Sequence, residues 1–311
     1  MVTLLDVARR AKVSVATVSR VINGKPFVKQ EVRERVNKAC EELGYMKDLN
    51  AERLRRGVHS DIGIIASYPD WPIAASAYSG LYRASAITGA SIVLTYSFSD
   101  PGKERECFAS LLASKVKAII FSPSTAENAE AVALCRRNEV RAIQAMRKAY
   151  DDVPAVCFDI DAAIDMACSL LKQSGVRRPL FVDSSLRFLS CSQAKSRFYE
   201  DMGEEGALSI DEDKVSNEPE SIGKAIELYA PDGVLCGSDA SCAAAYKYMM
   251  SANLRIPLIG FGNDEWKKTL GITAVDFESE EFALALLSAL QEDDPTDKKV
   301  PPLLHRRSFG F

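Results

Sequence analysis

Seven residues near the start of the chain, Ser14-Val15-Ala16-Thr17-Val18-Ser19-Arg20, hold three hydroxyls, a guanidinium and two small apolar side chains around Val18. Donors at this density suit a surface rich in acceptors, and a nucleic-acid duplex is such a surface. Arg20 can make a paired contact to guanine O6 and N7, worth about 1–3 kcal/mol of discrimination between bases. Thr17 and Ser19 suit phosphate oxygens, which fix register without reading sequence. Val15 and Ala16 offer methyl contacts, and Ser14 and Asn23 stand at the two ends of the stretch.

The rest of the sequence carries no comparable catalytic or metal-binding pattern. The two histidines, His59 and His305, sit at no metal-ligand spacing and in no recognisable triad. No GxxxxGK[ST] loop or GxGxxG turn follows a strand pattern. The acid pairs Asp151-Asp152 and Asp293-Asp294 read as solvated loops. Eight cysteines include no C-x-x-C pair, and several lie inside apolar runs, as Cys157 does in AVCF. They read as small buried hydrophobes in a reducing compartment. The sequence predicts no enzyme, no cofactor and no metal. It shows neither a signal peptide nor a membrane span, so a cytoplasmic protein is expected.

The elements that must position the first stretch are legible from capping and period. Thr3 with Asp6 has the form of a capping box opening a helix over about 4–11, with Leu5, Ala8 and Ala11 near one face. Lys12-Val13 turns the chain. Ser14 caps a second helix over about 15–22, whose inner positions are Val18, Val21 and Ile22. That leaves Val15, Ala16, Ser19 and Arg20 outward, and Asn23-Gly24 stops the helix. A third helix over about 29–43 carries Val32, Val36, Ala39, Cys40 and Leu43, and ends at Gly44. Two short helices closed by a third make a helix-turn-helix. The alternative is a three-helix bundle docked on another domain. Charge favours the duplex: residues 1–57 hold 13 lysines and arginines against 7 acids, while the remainder holds 26 against 36. A basic end on an acidic body marks the end as the part that meets a polyanion.

The run LLDVARRAKVSVATVSRVING, followed by VRERVNKACEELGY, closely resembles the N-terminal domain of the LacI/GalR family of bacterial transcriptional regulators. The likeness covers residues 3–45. Lys12 departs from it, standing where the family usually has glycine in the turn. For the segment KDLNAERLRRG, residues 47–57, the resemblance implies a hinge helix that folds in the minor groove when two copies pair on DNA. Leu54 then corresponds to the wedge that parts the central base step. Ala51 corresponds to a small residue facing the partner hinge, and Arg55 belongs to the same contact set. Lys47 and Asp48 replace a usual proline and asparagine.

Beyond residue 60 short apolar runs alternate with helical patterns: IGIIAS, SIVLTYS, VKAIIFS, VCFDI, PLFVD, GVLCG and PLIGF. Continuous apolar strands between helices predict parallel sheets covered on both faces. Too many strands occur for one compact sheet, so two α/β lobes with a cleft at the strand ends are expected. This half resembles the family's effector domain, which is like a periplasmic sugar-binding protein. The resemblance implies strand exchange between lobes near residues 158–160, 276–278 and 300–304. It also shows the largest departures. The family's sugar-gripping arginine falls on Ala194, and its A-N-D asparagine on Ser238. Its G-[FY]-D-D carboxylates fall on Gly262 and Asn263, and its crossover glutamine on Phe277. The cleft candidates that remain are Tyr68, Trp71, Asp159, Lys195, Arg197, Ser238, Asp239 and Asn263. Either the cleft binds a non-sugar or anionic effector, as Lys195 and Arg197 suggest, or the small-molecule site is vestigial and a protein partner, or no effector, controls the protein.

The expected fold is a small all-α helix-turn-helix domain followed by an α/β periplasmic-binding-protein-like domain of two lobes with parallel sheets. The expected boundaries are a DNA-binding domain at 1–46, a hinge at 47–58, and an effector and dimerisation domain at 59–311. The N-lobe would take about 59–158 and 278–300, the C-lobe about 159–277 and 301–311. The expected partners are a pseudo-palindromic double-stranded DNA operator, a second copy of the chain, and a small effector of unknown identity. Repression is the expected sign of control, because the family mostly works by blocking transcription. A ligand-binding protein that has lost its DNA function is the alternative, and Ser19, Arg20 and Leu54 speak against it.

Overall fold

The computed structural model describes residues 2–24, 26–45, 62–67, 77–83, 90–183, 191–203, 208–211 and 219–309. The chain divides into two compact units, Met1–His59 and Ser60–Phe311.

The first unit is three helices, α1 (Leu4–Ala11), α2 (Val15–Ile22) and α3 (Gln30–Leu43). Thr3 and Asp6 close a full capping box at the start of α1: the Thr3 amide donates to Asp6 Oδ2 at 2.9 Å and the Asp6 amide to Thr3 Oγ1 at 3.4 Å. Lys12 ends α1 in the left-handed region with φ 52°. Glycine occupies that region without a Cβ clash, and lysine pays a small strain to do so. The core is Val7, Ala8, Ala11, Val18, Val21, Val36 and Ala39. Leu5, expected inside, is 48% exposed, while Val7 is fully buried. The inner stripe of α1 therefore runs through 4, 7, 8 and 11, the i, i+3, i+4, i+7 face of a helix. Ile22, Val32, Cys40 and Leu43 pack at its edge, half-buried.

The second unit holds two six-stranded sheets. One comprises β1 (Ile62–Ala66), β2 (Ile92–Tyr96), β3 (Ala118–Phe121), β4 (Arg141–Met146), β5 (Ala155–Phe158) and β11 (Lys298–Val300), in the order β11-β5-β4-β3-β1-β2. The other comprises β6 (Pro179–Asp183), β7 (Leu208–Asp211), β8 (Gly233–Cys236), β9 (Leu258–Phe261), β10 (Thr273–Phe277) and β12 (Pro302–His305), in the order β12-β10-β9-β8-β6-β7. All pairings are parallel except β10 with β12. Helices cover both faces, so β1, β3, β8 and β9 are buried along their whole length. All seven apolar runs read from the sequence are strands. β4, β7, β10, β11 and β12 lie outside those runs.

The chain passes between sheets after Phe158, after Phe277 and again between Val300 and Pro302. Val300 pairs with Phe158 in one sheet, and Pro302 with Phe277 in the other. The rings of Phe158 and Phe277 stack with centroids 4.4 Å apart, and Phe282 lies 4.5 Å from Phe158. Both phenylalanines end their strands, so the carboxyl ends of the two sheets meet at this aromatic junction. That is the end at which open α/β sheets hold ligands.

Candidate nucleic-acid interface and interlobe site

The first unit presents α2 as a braced and exposed helix. Ser14 accepts from the Thr17 amide at 3.1 Å, and the two hydroxyls lie 2.9 Å apart. Ser14, Val15, Ala16 and Arg20 are exposed, with Val15 at 40%. Thr17, Ser19 and Asn23 are half-buried, and Asn23 Nδ2 donates to Ser19 Oγ at 3.3 Å. Asn23 Oδ1 is buried without a partner. Seven side chains near the surface thus stand on one short helix and its two caps, with the first turn tied by Ser14, which is the placement that groove reading requires. Ala51, Leu54 and Arg55 lie outside the described residues, as do Tyr68 and Trp71.

The rim of the second sheet gathers Ser238, Asp239 and Asn263, but in a self-satisfied network. Ser238 caps the helix Asp239–Ser251, accepting from the Ser241 amide at 3.0 Å. Asp239, in the first turn of that helix, binds the ammonium of Lys267. Lys267 is fully buried and also donates to Asp264 Oδ2 at 2.9 Å and to the Phe261 carbonyl at 2.8 Å. Burial alone would lower its pKa. The two carboxylates more than offset this and hold it above the usual lysine range. Gly260 makes the passage for its stem: a Cβ there would stand 3.1 Å from Lys267 Cε and 2.9 Å from Cys242 Sγ. Asn263 accepts from the Arg307 guanidinium, which also donates to the Ile272 carbonyl at 2.6 Å. Nearby, His305 Nε2 stands 3.8 Å from Asp276 Oδ2, and burial raises the Asp276 carboxyl.

The other candidates sit apart from that network. Asp159 caps the helix Ile160–Gln173 through the Ala162 amide at 3.3 Å, with Lys299 Nζ 3.6 Å away. Arg197 holds Asp165 with both arms of its fork and reaches Glu200 at 3.1 Å, which ties the helix Cys191–Met202 to Ile160–Gln173. The Arg197 hydrogen bonds draw the Asp165 carboxyl below its ordinary range. Lys195 is exposed and lies over the Tyr199 ring at 6.0 Å. Ala194 and Phe277, on which the sequence resemblance places a sugar-binding arginine and glutamine, are 4% and 2% exposed.

The rim of the first sheet carries a group that the sequence reading missed. Arg147 follows β4 directly, and its Nη2 donates to Ser67 Oγ at 3.1 Å and to Ser99 Oγ at 3.4 Å. Ser67 Oγ donates in turn to Ser122 Oγ at 3.2 Å. A lone arginine after a strand reads as a solvated loop residue. The usable signal was a serine directly after each of the runs IGIIA, IVLTY and AIIF.

Among the described residues, no group of three or more His, Cys, Asp or Glu side chains could hold a metal ion, and no helix is long and apolar enough to cross a membrane. The seven described cysteines are free thiols. Burial pushes Cys135 up to about 11 and Cys168 up to about 12, far from thiolate reactivity at neutral pH.

Comparison with known proteins agrees with both units. Residues 3–48 match the model described as bacterial regulatory proteins, lacI family, and residues 59–260 match periplasmic binding proteins and sugar binding domain of LacI family. The chain is 26% identical to catabolite control protein B of Bacillus subtilis (strain 168), over 96% of this chain and 97% of that one. In fold it is similar to the Lac repressor bound to ONPG, with TM-score 0.80, 22% identity and 98% of each chain covered. It is equally similar to the Lac repressor dimer bound to operator and the anti-inducer ONPF, with TM-score 0.80, 21% identity, and 100% of this chain and 99% of that one covered.

Proposed function

The chain belongs to the LacI family of bacterial regulatory proteins, and from that premise we propose that it is a repressor that binds a pseudo-palindromic DNA operator as a homodimer. The observation that carries this is α2 itself, capped at Ser14 and exposing Val15, Ala16 and Arg20. Arg20 reads a purine edge. Ser14, Thr17, Ser19 and Asn23 set the helix against phosphate, and two copies read two half-sites. Leu54 of each hinge, flanked by Ala51 and Arg55, parts the central step. The domain limits we assign are 1–46, 47–58 and 59–311, with the lobes divided as the strand exchange divides them.

Two features support a homodimer. β2 is an edge strand with Val93 and Leu94 at 36% and 42% exposure, followed by Phe98 at 45%. On the second lobe, Leu228 and Met250 are 77% and 42% exposed. Apolar side chains along an edge strand call for a cover. The interlobe site makes the protein ligand-responsive, and buried Ala194 and Phe277 favour a ligand other than a neutral sugar.

Selection from a random duplex pool with the full-length protein tests the proposal. Enrichment of a two-fold symmetric site with a flexible central step is expected, and binding should fall steeply with salt. Leu54→Ala should weaken operator binding by about 1–3 kcal/mol while leaving the melting temperature in place. Failure to enrich any duplex sinks the proposal, and unchanged operator affinity in Leu54→Ala removes the wedge.

A further inference from the structure

Each helix of the first unit is followed closely by a residue in the left-handed region: Lys12 after α1, Gly24 after α2 and Gly44 after α3, with φ 52°, 63° and 61°. The ends of α1 and α3 carry the same hydrogen bonds. The Lys12 amide donates to the Arg9 carbonyl at 3.3 Å and the Val13 amide to the Ala8 carbonyl at 3.0 Å. The Gly44 amide likewise donates to the Glu41 carbonyl at 3.2 Å and the Tyr45 amide to the Cys40 carbonyl at 2.8 Å. Both are Schellman motifs, whose left-handed position is usually glycine because a Cβ there crowds the backbone. Two of the three helix ends have the glycine, and the third keeps a lysine against that preference. A lysine wanted only for solubility could stand at any exposed position without strain. Residues held in a strained backbone region cluster where a side chain has a function.

Lys12 is exposed, and its side chain has no ion pair or hydrogen bond with a described residue. Arg10, two positions earlier, is bound by Glu42 of α3. Lys12 also stands two positions before Ser14, the cap of α2, and Cα atoms two residues apart lie at most about 7 Å from each other. Its flexible four-carbon stem therefore brings the ammonium within reach of the phosphates that Ser14 and Thr17 address.

We propose that the Lys12 ammonium of each protomer binds a backbone phosphate beside the half-site that α2 reads. This rests on the operator-binding dimer proposed above and adds the turn between α1 and α2 to its contacts. An ammonium is a point charge with rotatable donors, so it holds a phosphate without demanding one geometry and reads no base. Lys12 sets affinity and salt dependence, and leaves the choice of sequence to α2. The left-handed φ and the unpaired charge are then one feature: the turn forgoes the ease that glycine would give it and gains a phosphate contact.

The test is a salt series of duplex binding by the full-length protein, with Lys12→Gln, Lys12→Arg and Lys12→Gly beside the parent. The probes are the duplex enriched in the selection above and an unrelated duplex of the same length. Lys12→Gln removes one phosphate contact from each half-site, so the slope of log K against log salt should flatten by about two for the homodimer. At about 0.1 M salt the affinity should fall by about tenfold or more, equally on both duplexes. Lys12→Arg keeps the charge and should restore both the slope and the affinity. Lys12→Gly should bind as weakly as Lys12→Gln, while amide-exchange protection of α1 and α2 holds or rises because glycine relieves the turn. That combination separates a contact from a structural role, in which the variant that steadies the domain would bind better. Parental affinity and slope in Lys12→Gln or Lys12→Gly overturns the proposal. So does a loss confined to the enriched duplex with the slope unchanged. Either result leaves the regulator standing, since the parent still binds its operator. A parent that binds no duplex overturns the regulator and this contact with it.

Discussion

The two sheets of the second unit share a strand order yet treat charge at their carboxyl ends in opposite ways. The first rim leads a guanidinium into neutral hydroxyls, Arg147 to Ser67 and Ser99. The second rim neutralises two carboxylates with an internal ammonium, Lys267 against Asp239 and Asp264. A buried cation between two acids is costly to desolvate and costly to remove, so it fixes its surroundings in one arrangement. Hydroxyls turn freely and exchange partners. The same fold thus builds one rim around a buried ammonium between acids and another around serine hydroxyls beside a half-buried guanidinium. Function lives in such residues and not in the sheet that carries them.

The aromatic junction is what the two rims share, so breaking it should affect both. Phe282 is fully buried against Phe158, which stacks on Phe277 of the other sheet. Phe282→Ala should cost about 3–5 kcal/mol in urea unfolding, the range for an emptied aromatic site. Amide-exchange protection should drop in β5 and β10 alike. Protection lost in one sheet alone would mean that the rims are held independently, and the comparison would rest on two separate modules.

Lys267→Met addresses the second rim by itself. It leaves Asp239 and Asp264 facing each other without the ammonium. Each carboxylate keeps about a third of its surface in water, so the loss should fall at about 2–4 kcal/mol and not at the upper end for a broken buried pair. Adding Asp239→Asn should recover part of it, since the two sites are coupled. A urea midpoint within the error of the parent would show that the network is ornamental, and the contrast between rims would fail.

How much of this was legible in the sequence depended on whether a residue's partner was near it in the chain. The caps at Thr3, Ser14 and Gly44 involve partners three to five residues away, and all were readable. The seven strands found were continuous apolar runs. β4 was missed because RAIQAM opens on a charge and contains Gln144, which is fully buried. Its amide is satisfied by the carbonyls of Tyr150 and Val153 and the amides of Ala149 and Tyr150, a local loop that no periodicity reports. Lys267 stands beside Lys268 in the chain, and only Lys268 is exposed; nothing local singles out Lys267, because its partner Asp239 lies 28 positions away. Arg197 looked like a cleft cation because its partner Asp165 lies 32 positions away.

That last pair gives the smallest and most specific test. Arg197 and Asp165 are each more than a third exposed, so solvent and salt screen them heavily. The direction of the effect is nevertheless fixed. Hydrogen bonding from Arg197 lowers the Asp165 carboxyl in the folded chain relative to its ordinary value, while burial works weakly against it. A carboxyl lowered by folding adds stability above its unfolded pKa and loses it as the pH falls through the folded value. Arg197→Gln should therefore unfold at slightly lower urea than the parent at neutral pH, and the gap should close in acid below the ordinary aspartate range. A gap that persists unchanged in acid would assign the effect to packing of the arginine stem. In that case the two helices are joined by contact and not by charge, and Lys267 would be the charge that organises the second lobe without help from Arg197.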